Sequence, residues 1–214
     1  MFISLFFVLF QLENVLMDHD GHIALTDFGL SKEGVEDVYE MQLSTFCGTA
    51  EYIAPELLKG LKYGATVDWW SLGVLLYEMM GFKTPFYDKN RKLMFYNIIN
   101  NEPQWPPHFS APAIGIIRGL LAKAPQRRLG SGVEGVQEIR AQPFFGTIDW
   151  DAMMAKEVEP PFKPEIKNIL DPKFVPRTYL NEHAADSFDR NAKPNTNIDF
   201  DNFTYQPASA LEGE

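Results

Sequence analysis

The stretch from Thr66 to Met80 limits this chain more than any other. Val67, Trp69, Trp70, Leu72, Val74, Leu75, Leu76, Tyr77, Met79 and Met80 are apolar, and they leave almost no polar face at helical spacing. A helix that is apolar nearly all round has to be buried on most sides. The spacing therefore predicts a central helix over Thr66–Met80, stopped near Gly81. A bilayer span needs roughly 20 apolar residues, and this run is shorter and rich in Trp and Tyr, so the core reading prevails. The rest of the fold has to supply the walls around it.

Other segments supply such walls. Val15–Met17 and His22–Thr26 flank Asp18-His19-Asp20-Gly21, the pattern of a hairpin with a glycine-containing turn. Ala54-Pro55-Glu56-Leu57-Leu58 opens a short helix. Asp88–Asn100, Ala113–Lys123 and Val133–Ala141 have helical apolar spacing, and Asn101–Pro112 reads as a proline-rich loop. Leu30–Thr45 is polar and acidic without periodicity, hence a loop. Pro160-Pro161-Phe162-Lys163-Pro164 closes the compact part. From Glu165 onward Asn, Asp, Pro and Thr accumulate, as in an extended tail. The fold class is mainly α with a small β-hairpin (α+β). Met1–Phe10 is apolar apart from Ser4 and reads either as a buried strand or as sequence foreign to the rest; it lacks the basic n-region and small-residue cleavage site of a signal peptide.

Of the 214 residues, 45% are hydrophobic and 14% aromatic, enough for one packed domain plus a tail. The net charge of −10 argues against nucleic-acid or anionic-membrane binding by bulk charge. The single Cys47 excludes an internal disulfide and suits a reducing, intracellular compartment.

The chemistry lies in an ordered set of short motifs. Asp27-Phe28-Gly29 follows the hairpin. A loop holding Ser44 and Thr45 comes next, then Cys47-Gly48-Thr49-Ala50-Glu51-Tyr52-Ile53-Ala54-Pro55-Glu56 and Asp68-Trp69-Trp70-Ser71-Leu72-Gly73. In this order the motifs resemble the second half of a protein kinase. Arg128-Leu129-Gly130-Ser131-Gly132, Pro143-Phe144-Phe145 and Pro161-Phe162-Lys163-Pro164 narrow the likeness to AGC-group serine/threonine kinases, in the ribosomal S6 kinase, Akt and SGK branches. Phe200-Asp201-Asn202-Phe203-Thr204-Tyr205 resembles that group's C-terminal hydrophobic motif.

The resemblance implies residues 13–146 as a kinase C-lobe, 147–214 as a regulatory tail with its motif at 200–205, and 1–12 as a non-matching segment without an N-lobe before it. It implies ATP and Mg²⁺ as cofactors, with Asp27 and Asn14 as metal ligands, and protein substrates carrying basic residues before the target Ser or Thr. Glu13 and Glu78 match the acidic positions that select those basic residues, and Thr49 lies in the substrate-facing segment. Glu78 also reads plainly as a polar residue near a helix end. Thr45 and Thr204 match phosphorylation sites for upstream activating kinases. Each phosphate adds about −1.5 to −2 charge, which Lys32 would meet at Thr45. Glu56 and Arg128 match a structural ion pair, and Phe200 and Phe203 match anchors of the hydrophobic motif. Asp68 matches a residue that bonds to the catalytic loop, so its replacement is expected to matter less here, where that loop is altered. The location implied is cytoplasmic, with the nucleus as the alternative.

The family's catalytic loop, His-Arg-Asp-Leu-Lys-Pro-Glu-Asn, falls on Phe7-Val8-Leu9-Phe10-Gln11-Leu12-Glu13-Asn14. Leu9 stands where the family has its catalytic Asp, and Gln11 where it has a Lys. The tail too departs, since Leu170-Asp171-Pro172-Lys173-Phe174 only loosely matches the family's Phe-Asp-x-x-Phe tether. The expectation is a partial kinase, inactive alone. The alternative is a non-catalytic fragment that binds upstream kinases or regulators through its hydrophobic motif.

Overall fold

The computed structural model describes residues 11–26, 50–168, 171–175 and 177–181. Met1–Phe10, the Leu30–Thr45 loop and the motif at 200–205 lie outside them. The chain divides into two units, Met1–Glu165 and Ile166–Glu214.

The first unit opens with a 3-10 turn, Leu12–Asn14, and a two-stranded antiparallel sheet, β1 Val15–Met17 with β2 Ile23–Leu25. Leu16 pairs with Ala24, and the Asp18 carboxylate accepts the amides of Asp20 and His22 to close the turn. Gly21 has φ of 92°, and a Cβ there would run into the Phe162 carbonyl oxygen. Only glycine lets the 160–162 segment pass so close to the hairpin.

Beyond the hairpin the unit is helical. A 3-10 turn, Ala50–Tyr52, leads into α1, Pro55–Leu58, with its proline in the first turn where no amide is needed. The central helix α2 spans Thr66–Gly81, as its apolar composition predicts. α3 spans Arg91–Asn100 and α4 Ala111–Leu120. α5 (Val136–Arg140) and α6 (Trp150–Met154) are short. Trp70 and Val74 of α2, Ile98 of α3, and Ile117 and Leu120 of α4 are completely buried. Gly73 lets α4 approach closely, because a Cβ on it would sit 2.8 Å from the Leu120 Cβ.

Three helix boundaries differ from the pattern reading, each for a local reason. Asn90 caps α3, its side chain accepting the amides of Lys92 and Leu93, and Asp88 lies before the helix with its carboxylate accepting the Asn90 amide. α4 begins at Ala111 because Ser110 caps it and Pro112 tolerates the first turn. α5 starts after Gly135, whose φ of 54° breaks the run, and Val133 is fully exposed. α6 escapes the pattern reading altogether: it is five residues long, and only Asp149, capping Asp151 and Ala152, announces it.

In the second unit Asp171 accepts the amides of Lys167 and Lys173, ahead of a 3-10 turn at Pro172–Phe174 and α7 at Arg177–Leu180. Among the described residues no helix is long and apolar enough to cross a membrane.

Candidate functional site

Three clusters surround α2. The first is at the hairpin mouth. Asn14 is buried, and its carbonyl accepts the Thr26 amide at 2.9 Å, one residue before Asp27. Gln11 is half-buried, and its carbonyl accepts the Asn14 amide at 3.0 Å. The Asn14 carboxamide is a hard oxygen donor of the kind Mg²⁺ takes. Asp27, Leu9, Lys32, Thr45, Thr49, Thr204, Phe200 and Phe203 lie outside the described residues. Among the described residues no three His, Cys, Asp or Glu side chains gather as a metal site.

The second cluster is at the C-terminal end of α2. The buried Tyr52 hydroxyl donates to a Glu78 carboxylate oxygen. Burial, and then Glu78, push the Tyr52 phenol well above its ordinary range, so it stays a donor. The Leu12 amide faces the same oxygen, and the Glu13 charge acts on it as well. Tyr52 thus joins the Leu12–Glu13 turn to Glu78. Glu13 is exposed and Glu78 half-buried. Beside them the Thr84 hydroxyl donates to Glu51 at 2.6 Å and fixes the Ala50–Tyr52 turn. Sequence reasoning missed the part played by Tyr52, since nothing local distinguishes it from any other core tyrosine.

The third cluster is under the N-terminal end of α2. The Arg128 guanidinium donates to both Glu56 oxygens, at 2.6 and 2.9 Å. It also donates to the carbonyls of Thr66 at 2.7 Å and Ala122 at 3.1 Å. Both side chains are sealed from solvent, at 0% and 1% exposure. Arg128 also lies 5.2 Å from the Trp70 ring, which stacks on Phe86. On the same aromatic pair rests Lys123, 3.9 Å from the Phe86 ring centre and donating to the Ile98 carbonyl at 2.7 Å. Burial pushes the Lys123 ammonium down to about 8, against the opposing pull of Glu102. Gly130, with φ of 87°, faces Trp69 so closely that a Cβ would lie 2.8 Å from the indole nitrogen. Asp68 is buried in the first turn of α2.

The sequence that builds these clusters matches a known family. A profile of the protein kinase domain matches residues 10–145. The chain is 42% identical over 202 residues to the serine/threonine-protein kinase gad8 of Schizosaccharomyces pombe, covering 94% of this chain and 35% of that protein. It is 42% identical over 172 residues to the RAC serine/threonine-protein kinase of Drosophila melanogaster, covering 80% of this chain and 28% of that one. Against the RAC-beta serine/threonine-protein kinase of Homo sapiens it is 44% identical over 164 residues, 77% of this chain and 34% of that protein. The chain belongs to the protein kinase family. Within it, the relatives are serine/threonine kinases of the AGC group, and the chain spans about a third of their length.

Proposed function

We propose that residues 13–146 are the C-lobe of an AGC serine/threonine kinase domain and 147–214 its regulatory tail. The reaction class is transfer of the ATP γ-phosphate to Ser or Thr hydroxyls in a basic peptide context. The observation that carries the substrate reading is the Tyr52 junction at one end of α2, where the hydroxyl donates to Glu78 and meets the amide of Leu12, the residue before Glu13. A carboxylate anchored on a phenol is held ready for a peptide guanidinium, the geometry that charge-assisted pairing rewards.

Phosphoryl transfer depends on positioning and charge neutralisation. Asn14 and Asp27 would hold Mg²⁺, which supplies that neutralisation when bound. Leu9 has no basic oxygen to accept the substrate hydroxyl proton, and Gln11 brings no positive charge to the phosphate. Loss of a general base typically costs roughly 10²–10⁴ in rate. The chain as written is therefore a binding scaffold without transfer activity of its own.

The test is labelled-phosphate transfer from ATP to a peptide with Arg before its Ser. The 214-residue chain is expected to give only background. A product of the same gene with an intact His-Arg-Asp loop is expected to be active. In that product Glu78→Gln should raise KM for the Arg peptide about tenfold with kcat nearly unchanged. An unchanged KM overturns the assignment of Glu78, and transfer by the 214-residue chain overturns its inactivity.

A further inference from the structure

Phe82 ends α2 with φ of 59° and ψ of 14°, the left-handed region. Its amide donates to the Glu78 carbonyl at 2.8 Å, which closes the helix. Glycine fills such a position without strain, whereas a bulky side chain there crowds its own backbone. The Phe82 ring is 93% exposed, so no core packing offsets that strain. One turn back, Met79 is 55% exposed. Within the same turn Glu78 meets the Tyr52 hydroxyl, on which the charge of Glu13 also acts. Strained residues persist where a task holds them, and here an aromatic and a thioether stand in water beside the Glu78 turn.

We propose that Phe82 and Met79 form an apolar subsite that takes a hydrophobic side chain of a basic peptide whose Arg is held by Glu13 and Glu78. The inference rests on the reading of those two acids and deepens it, because the peptide class becomes basic plus hydrophobic. Charge selects this occupant: the chain carries −10 overall, and Glu78 directly precedes Met79 in the last turn of α2. Lys83, exposed and next after Phe82 in the chain, sets a polarity. A second basic residue would be repelled there, so the Arg belongs toward Glu78 and the apolar residue over Phe82. Met suits such a surface because its flexible, polarizable chain adapts to different partners.

Fluorescence anisotropy on the full chain tests this with labelled peptides. One carries Arg alone, and a series steps a single Leu through each position on either side of the Arg. At one position Leu is expected to tighten binding about tenfold. Phe82→Gly should abolish that gain and leave the Arg-only peptide unchanged. Because glycine accepts the left-handed cap, the same variant should raise Tm by roughly 2–4 °C, which separates lost binding from lost folding. If Phe82→Gly keeps the full Leu gain, or if no Leu position gives one, while Arg binding still falls in Glu78→Gln, the subsite is overturned and the acidic reading stands. If the Arg peptide binds equally well to Glu78→Gln, the acidic reading falls and the subsite with it.

Discussion

Arg128 shows how much one side chain can organise. Its four hydrogen bonds join α1, the start of α2 and the segment after α4 in a place closed to water. Removing one partner of such a pair leaves a buried charge uncompensated, at a typical cost of 3–5 kcal/mol. Arg128→Met is therefore expected to lower the stability of the first unit by about that amount, read as a drop in the urea midpoint. Because the unpaired buried charge is the cause, Glu56→Leu combined with Arg128→Met should recover part of the loss. A double variant as unstable as the sum of the two singles would show that the pair matters by shape instead. The pairing was not legible from local pattern, since Glu56 looks like any first-turn acid; only the family resemblance implied it.

At the level of elements, a glycine of α2 and a glycine of α4 stand in opposite situations. Gly73 on α2 has the Leu120 Cβ and the Leu121 side chain within about 3 Å of where its own Cβ would go. Gly73→Ala should wedge the helices apart and cost about 1–3 kcal/mol. Gly115, on the exposed side of α4, has nothing within 4 Å. There alanine adds helix propensity without a clash, and Gly115→Ala should stabilise by about 0.5–1 kcal/mol. Thermal denaturation of the two variants checks both signs. Equal shifts in one direction would mean that the helices do not meet at Gly73 as described. In the sequence both residues read alike, as glycines in helical runs.

For the whole molecule, Lys123 makes stability depend on pH. Its folded pKa of about 8 lies below the ordinary lysine value of 10.5 because burial disfavours the charge. Between those values the unfolded chain binds a proton that the folded chain has released. Stability from this group therefore rises as pH rises through the window. Above pH 10 the opposite sign enters, since burial raises the phenols of Tyr52, Tyr63 and Tyr77, and their stabilising effect is lost as pH climbs. The Lys123 effect is thus clearest between pH 8 and 10. Unfolding free energies of the native chain should rise across that range, and Lys123→Met should remove the rise. A slope that survives in Lys123→Met would assign it to another group.

The sequence by itself determined the class of structure and the family. The helix at Thr66–Gly81 follows from a run too apolar to sit anywhere but in a core. The hairpin follows from two short strands about an Asp- and Gly-containing turn. Both are contiguous patterns, and contiguous patterns are what periodicity reads. The mainly helical class follows from the same evidence along the chain, and the ordered kinase motifs point to the domain that the profile match shows over residues 10–145. What only the tertiary structure decided is which distant residues share a place. Tyr52 joins the Leu12 backbone to Glu78, Lys123 settles on Phe86 and Trp70, and Phe82 stands strained and bare at the end of the Glu78 turn. No local rule selects these meetings. They arise when helices pack to close density, and packing depends on every wall of the core at once.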